Sequence, residues 1–161
     1  MMKIINAFPG VSEPMTEEET KTFMANNDKN LLVRIGIIDD KGEPYVIPLS
    51  YYFDTVSNKI YINTLKTTKK VHSLRKNNVI AYCIDDPKFP FKGVRGKATV
   101  KIHEDVNHNI DIAKKFIMKN IGSLDDPNAK WLLGEIEKGN EVILEITPKY
   151  YSTWRTAVPV Q

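Results

Sequence analysis

Apolar and polar residues alternate along much of the chain, and this period of two indicates strands more often than helices. The clearest case is 94–102, where small or apolar residues at every second position alternate with Lys, Arg and Thr. Such alternation is typical of a strand with one buried face. Together with turn residues between the apolar segments, it predicts six strands, at 31–38, 45–53, 59–63, 79–84, 94–102 and 141–146.

Helix-starting patterns occur between these strands. Thr16 and Glu19 form a capping-box pair, so a helix is predicted to begin there and to end near residue 27. Further helices are predicted from about residue 68, over 105–120 and over 126–135. Six strands with mainly hairpin connections and a few helices predict a mainly β fold, an antiparallel barrel with flanking helices.

Pro48 lies inside the second predicted strand. Because proline has no backbone N–H, it cannot donate a hydrogen bond to a neighbouring strand at that position. We therefore expect a sheet edge, a bulge or a ligand beside this strand, rather than a regular central ladder.

The length of 161 residues predicts one domain over 1–161, because single domains commonly have about 100–200 residues. No apolar run approaches the ~20 residues that span a bilayer, and residues 1–9 lack the pattern of a secretory signal. A single cysteine, Cys83, cannot form an internal disulfide. We therefore expect a cytoplasmic protein without a membrane segment.

The net charge of +3 is unevenly distributed along the chain. Eleven Lys or Arg residues lie in 59–101 against Asp85 and Asp86, which gives this segment a net charge of +9. Within it, 59–78 contains no acidic residue at all. Such a segment predicts an anionic partner, and a merely solvated basic face is the alternative.

Several kinds of catalytic or metal site are not indicated by the sequence. His72, His103 and His108 have no recognised ligand spacing, so we expect no metal site. The chain lacks a GxSxG sequence, and Cys83 lies among apolar strand residues, which favours a buried, unreactive thiol. The glycine-rich sequences of common nucleotide-binding loops are also missing.

The segment 63–70, Asn-Thr-Leu-Lys-Thr-Thr-Lys-Lys, joins a predicted strand to the basic helix. The N-terminus of a helix offers free backbone N–H groups and partial positive charge. The hydroxyls of Thr64 and Thr68 would add donors for a phosphate dianion. Lys69 and Lys70 would add positive charge. The alternative is a threonine cap on a basic surface helix, and the residues alone leave both interpretations open.

Several sequence features follow one another in a fixed order. An Asp-x-x-Gly-x-Pro turn at 39–44 follows the first predicted strand, the second strand contains Pro48, and 63–70 follows the third strand. A Gly-x-Ala sequence at 96–98 and a closing strand with Trp154 complete the order. In these features the chain resembles the pyridoxamine 5′-phosphate oxidase-related, FMN-binding split-barrel superfamily. The resemblance implies a six-stranded antiparallel split β-barrel with Greek-key-like connections and a few flanking helices.

The resemblance also implies a phosphate site. The phosphate loop of the oxidases reads Tyr-Thr-Asn-x-x-Ser-Arg-Lys, and 63–70 aligns with it without a gap. By position, the FMN phosphate would be held by four residues, Thr64, Thr68, Lys69 and Lys70. Asn63 would line the ribityl or phosphate region.

The remaining implied contacts concern the flavin ring. Ile47, Pro48 and Leu49 would lie along the isoalloxazine, with their backbone groups facing its polar edge. Trp154 would reach the flavin of the partner subunit, which makes a homodimer part of the site. For the apolar residues, plain core packing is the alternative.

The chain departs from the true pyridoxamine-phosphate oxidases after Trp154. Those enzymes carry an Arg six residues and a His eight residues after the closing Trp. Here the sixth residue is Val160 and the sequence ends at Gln161, so vitamin B6 oxidation is not implied. The chain resembles more the nitroimidazole-resistance-type flavin reductases and general FMN-binding proteins. The implied function is an FMN-dependent oxidoreductase that reduces a small molecule with electrons from a reduced nicotinamide.

Two alternatives stay open. A deazaflavin-dependent reductase of the same fold would use the same loop for its cofactor's phosphate. A non-catalytic protein would bind a flavin or a polyanion, but nucleic acid is disfavoured because 64–78 contains no aromatic residue for base stacking. No catalytic residue is assigned, since the hydride chemistry of such enzymes belongs to the cofactor.

Overall fold

The computed structural model describes residues 1–26, 28 and 31–156, and this part of the chain forms nine strands and four helices. In chain order the elements are β1 (Ile4–Asn6), α1 (Glu17–Met24), β2 (Val33–Ile38), β3 (Pro44–Leu49), β4 (Tyr52–Asp54), β5 (Lys59–Leu65), α2 (Lys69–Lys76), β6 (Val79–Asp86), β7 (Lys92–His103), α3 (Val106–Asn120), α4 (Pro127–Glu137), β8 (Glu141–Pro148) and β9 (Tyr151–Arg155). Among the described residues, no helix is both long enough and apolar enough to cross a bilayer.

Seven of the strands form one antiparallel path in the order β3-β2-β6-β7-β8-β5-β4. The 12-residue β7 pairs with β9 through its first residues and with β8 through its last residues. β9 also pairs in parallel with β1. The sheet therefore curls into a half-barrel, which confirms the mainly β, antiparallel split-barrel architecture predicted from the sequence.

One face of the sheet carries the main apolar core. On β2, alternate residues such as Val33, Ile35 and Ile37 are fully buried. Phe23 and Met24 of α1 join the same cluster. The other face is covered in part by α3, which packs on β4, β5 and β8 over a second, smaller apolar cluster. The two faces therefore have different surroundings, which matters for where the candidate site residues point.

The predicted count of six strands was wrong, because the described part of the chain contains nine. The predicted strand 45–53 is two strands, and β4 pairs with β5 instead of β2. The break falls at Tyr51, whose carbonyl oxygen accepts hydrogen bonds from Lys119 at 2.9 Å and Asn120 at 3.1 Å instead of from a strand. β1 has only three residues, too few to show an alternating pattern. β9 was indicated only by the family resemblance.

Two local predictions are confirmed by the backbone. Pro48 lies on β3, the strand at one end of the sheet path. Its missing N–H therefore does not interrupt the hydrogen bonds between two central strands. The capping box of α1 is formed, because the Thr16 hydroxyl accepts from the Glu19 N–H at 3.1 Å and the Glu19 carboxylate accepts from the Thr16 N–H at 2.7 Å. This helix ends at Met24, slightly before the predicted position.

Replacing Gly96 with alanine is expected to destabilise the fold. An added Cβ would overlap the carbonyl oxygen of Tyr150 and lie 3.0 Å from a ring carbon of Tyr82. Since a backbone oxygen cannot rotate away, we expect the free energy of unfolding to fall by about 3 kcal/mol in a urea titration. Gly134 is the matched control, because an added Cβ meets nothing within 4 Å and alanine favours its helix by about 1 kcal/mol. Equal urea midpoints for G96A and the unaltered protein would contradict this account of the close approach.

Candidate functional site

The clearest polar arrangement lies where β5 passes into α2, in residues 64–70, which we name the basic turn. The Lys70 ammonium donates a hydrogen bond of 2.7 Å to the Thr64 hydroxyl. Thr64 is only 7% exposed, and burial lowers the pKa of Lys70. The fold thus places a partly desolvated ammonium group and a hydroxyl side by side at the start of a helix. A positive charge in such surroundings interacts strongly with an anion, because water screens it less.

Thr68 occupies the N-cap position of α2 without capping it through its side chain. Its hydroxyl donates to the Leu65 carbonyl oxygen at 3.0 Å and accepts no hydrogen bond from the first helical turn. The first-turn N–H groups therefore keep their donor capacity and the partial positive charge of the helix terminus. This geometry argues against the interpretation of the segment as a simple threonine cap.

Lys69 connects the basic turn to the β2–β3 hairpin. Its ammonium lies 3.2 Å from an Asp39 carboxylate oxygen and 4.8 Å from the centre of the Tyr45 ring. The Tyr45 hydroxyl in turn lies 3.3 Å from the Ser73 hydroxyl of α2. The side chain of Lys69 is 66% exposed, so it is free to rotate between Asp39 and an incoming anion. Lys69 and Lys70 therefore flank the start of α2 in different surroundings.

The structure places Asn63 on the opposite face of β5 from Thr64. Asn63 pairs with Ile143, which belongs to the apolar cluster under α3, whereas Thr64 follows the inward alternation of Ile60 and Ile62. Both polar atoms of the Asn63 side chain are buried and have no hydrogen-bond partner among the described residues. A buried polar group without a partner costs about 1–3 kcal/mol, so this amide has unused capacity for a polar ligand or water.

The three residues assigned to the flavin ring follow one another on β3. Ile47 and Leu49 are half-buried and pack against the main core, whereas Pro48 points outward and is exposed. Ile47 and Leu49 thus make core contacts, and their contact with a flavin ring stays a prediction. Because β3 is the last strand of the sheet path, its outer edge offers backbone groups that β2 does not use.

Trp154 lies apart from the basic turn, on β9. It stands opposite Gly93, and an added Cβ at Gly93 would overlap its ring. The ring packs edge-on against Phe8, with 5.7 Å between the centres, and the Arg95 guanidinium lies 5.8 Å away. The nine predicted site residues thus fall into four groups within one chain: four at the basic turn, three on β3, Asn63 on the other face of β5 and Trp154 on β9.

Glu141 is a polar residue near the basic turn that sequence reasoning missed. It is the first residue of β8, lies opposite Leu65 and is 6% exposed. Burial raises the pKa of its carboxyl to about 7, against the opposing effect of the Lys70 charge, and Glu135 raises it further. One carboxyl oxygen is buried without a hydrogen-bond partner among the described residues. A glutamate at the start of a strand is usually exposed, so the sequence pattern gives no signal of this burial.

A cavity of about 890 Å³ lies elsewhere, between α1 and the ends of β7 and β9. Its polar lining includes Glu13, Glu18 and Glu19 together with Lys92 and Arg155. The three carboxylates would repel a phosphate group, so this cavity does not compete with the basic turn as an anion site.

Comparison with known proteins gives a match in structure and none in sequence. No family model matches the chain, and no curated protein matches it. A conserved hypothetical protein from Mycobacterium tuberculosis shares its structure with a TM-score of 0.75 and 15% identity, over 97% of each chain. An F420 reductase has a TM-score of 0.63 and 18% identity, over 82% of this chain and 94% of its own. An FAD-binding protein from Mesorhizobium loti has a TM-score of 0.63 and 20% identity, over 89% of this chain and 96% of its own.

These likenesses establish the fold. The chain has the split-barrel architecture that the sequence features predicted, and the resemblance to the split-barrel proteins is confirmed at that level. The site residues carried over from the resemblance stay predictions, as does the homodimer.

Proposed function

We propose that the protein is a homodimeric FMN-binding split-barrel flavoprotein that reduces a small molecule. The observation that carries the proposal is the Lys70–Thr64 pair beside the first turn of α2, whose amides the Thr68 side chain leaves uncapped. A phosphate monoester dianion matches this arrangement in charge and in the number of donors it accepts. The names of two proteins with the same fold, an F420 reductase and an FAD-binding protein, support a flavin-type cofactor.

In this proposal Thr64 and Lys70 hold the phosphate from the side of β5, and the first-turn amides of α2 hold it from the helix. Thr68 and Lys69 complete the site, Lys69 by turning from Asp39 to the phosphate. Asn63, on the other face of β5, takes part only through a polar group or water that reaches its buried amide. FMN would supply the redox chemistry, while the protein orients it and excludes water.

The outer face of β3, β2 and β6 supports the proposed homodimer. Val46 is 67% exposed there, in one cross-strand row with Gly36 and Ala81, and Val79 is also exposed. We name these four residues the exposed apolar face. A second copy of the chain packed on it would bury apolar surface that is otherwise in water.

The positions of Trp154 and Pro48 on the sheet are consistent with the proposed dimer. In the next cross-strand row of the same face, Pro48 lies opposite Arg34, Arg34 lies opposite Cys83, and Cys83 lies opposite Arg95, the residue that contacts the Trp154 ring. Trp154 therefore lies on the side of the sheet that a second copy would cover. In the proposed dimer it approaches the flavin of the partner, as the resemblance implied.

A deazaflavin is the second candidate cofactor, favoured by the likeness to an F420 reductase. Chromatography of the pigment released by heat from the purified protein distinguishes the two, since FMN and a deazaflavin differ in absorption and retention. FMN supports the first proposal, and a deazaflavin supports the second. If added FMN is reduced by a nicotinamide donor no faster with the protein than without it, catalytic reduction from that donor is contradicted while flavin binding stands.

The affinity for FMN is expected to fall as the pH rises through about 7. Glu141 is neutral below its raised pKa of about 7 and ionised above it, and the ionised carboxylate would compete with the phosphate for Lys70. We expect about a tenfold loss of affinity between pH 6.5 and 8.5, a range above the phosphate's own pKa near 6. Fluorescence titrations of the protein with FMN at several pH values measure this.

Glu141→Gln should bind FMN with nearly the same affinity over that range. The exposed Glu137 supplies the control, because E137Q loses the same charge at the end of α4 and should keep the pH dependence. A pH dependence that persists in E141Q would contradict the role of this carboxyl.

A further inference from the structure

Three side chains on the face of the sheet covered by α3 form a compact group of metal-ligand type. His103 ends β7, Glu145 lies on the neighbouring β8, and His108 is in the first turn of α3. One ligand atom from each lies within 4.8 Å of the others. The sequence did not indicate this group, because the five-residue spacing of the histidines becomes a contact only when α3 folds back onto the sheet.

The two histidines are held in fixed positions by the fold. Their ring centres are 4.4 Å apart. The His103 carbonyl oxygen accepts a hydrogen bond of 2.8 Å from the Asn109 side chain, which ties β7 to the helix. The Asp105 carboxylate accepts a hydrogen bond of 2.8 Å from the backbone N–H of His108 and so caps the first turn of α3. The backbone of both histidines is therefore fixed, with the two rings side by side.

The hydrogen bonding of the group is incomplete. His103 Nε2 lies 3.0 Å from one Glu145 carboxylate oxygen, and Lys59 donates to the other oxygen at 2.6 Å. His108 Nε2, by contrast, is buried and has no hydrogen-bond partner among the described residues. Buried polar atoms normally have a partner. This ring nitrogen has none and lies beside a second imidazole and a carboxylate oxygen, so it is free to bind a cation.

We propose that His103, His108 and Glu145 bind one Zn²⁺ ion, and that this ion fastens the first turn of α3 to β7 and β8. Two imidazoles and one carboxylate are a donor set that zinc uses, with a fourth position left for water. A tetrahedral ion with bonds of about 2 Å needs donors about 3.3 Å apart, so small side-chain rotations suffice. The proposal departs from the sequence-based expectation of no metal site, and it is independent of the proposed flavin function.

The charges around the group set the expected affinity. Lys59 and Lys101, which lies opposite Glu145, add positive charge that opposes a cation. We therefore expect a dissociation constant on the order of 10 µM rather than the much tighter values of thiolate sites.

The test is a titration of the chelator-treated protein with Zn²⁺, followed by calorimetry, and with Co²⁺, followed by its visible absorption. We expect one Zn²⁺ per chain and Co²⁺ bands typical of four-coordination. In His108→Gln we expect affinity to fall about 100-fold and the bands to disappear, because a ligand is lost. His72→Gln is the control, since His72 is exposed on α2 and should leave binding unchanged.

His103→Gln serves as a second ligand variant if H108Q does not fold by circular dichroism. Zinc binding by the unaltered protein that H108Q and H103Q both retain would overturn the proposed ligands. The absence of binding at about 1 mM Zn²⁺ would overturn the site itself, because weaker binding would leave it empty at cellular zinc levels. Since the titration needs no flavin, neither result bears on the cofactor.

Discussion

Replacing Lys69 and Lys70 together with alanine is expected to weaken FMN binding by about 100-fold or more. Each lysine would make a hydrogen bond between charged groups to the phosphate, and such bonds are worth about 1.5–3 kcal/mol each. The loss should be dominated by Lys70, because its ammonium is partly buried against Thr64 whereas Lys69 is mostly exposed. Fluorescence titration of the flavin-free proteins measures the dissociation constants, and the single variants separate the two contributions.

The matched control removes two positive charges from the other end of the same helix. Arg75 and Lys76 are the last two residues of α2 and form exposed ion pairs with Glu104 and Asp40. The R75A/K76A protein should therefore bind FMN within about threefold of the unaltered protein. These exposed charges lie about 10 Å along the helix from its first residue, a distance at which salt screens them. Equal losses in the two double variants would mean that net charge alone attracts the flavin, and the basic turn would not be the phosphate site.

Replacing Val46 with glutamate is expected to convert the proposed dimer into monomers and to reduce flavin binding with it. Val46 is 67% exposed in the single chain, so the substitution should leave the fold intact. In a symmetric interface it would bury a carboxylate on each copy without a partner, which raises the dimer dissociation constant by about 100-fold or more. Sedimentation velocity measures the mass, and a flavin titration on the same sample measures the coupled loss.

Val56→Glu is the control for this change. Val56 is 89% exposed in the turn between β4 and β5, outside the exposed apolar face, so V56E should remain dimeric and should bind FMN normally. A monomeric unaltered protein, or a V46E protein that stays dimeric, would contradict the proposed interface. A monomeric V46E protein with full flavin affinity would show that one chain suffices for the site.

The fold was predictable from the sequence where the pattern is local. The alternation in 94–102 predicts the outward and inward residues of β7, and the Thr16–Glu19 pair predicts the start of α1, both confirmed by the structure. The break at Tyr51 was not predictable, because Lys119 and Asn120, which donate hydrogen bonds to its carbonyl oxygen, are nearly 70 residues distant in sequence. Strand formers continue across that break in sequence, so the division into β3 and β4 depends on tertiary contacts.

The candidate site was predictable only in part. Thr64 and Lys70 are six residues apart at a strand-to-helix junction, and their contact follows from that local geometry. Glu141 is brought to the basic turn by the pairing of β5 with β8, and its burial has no counterpart in the sequence pattern. The same holds for His103 and Glu145, which meet through the pairing of β7 with β8.

The most direct test of the account is an equilibrium titration of FMN into the flavin-free protein. The account predicts saturation at one FMN per chain with a dissociation constant of about 1 µM or less, because a partly buried ammonium, a hydroxyl and helix amides act together on the phosphate. Riboflavin, which lacks the phosphate, should bind at least about 100-fold more weakly. Equal affinity for FMN and riboflavin, or no binding of FMN or a deazaflavin at about 100 µM, would contradict the assignment of the basic turn as a flavin phosphate site.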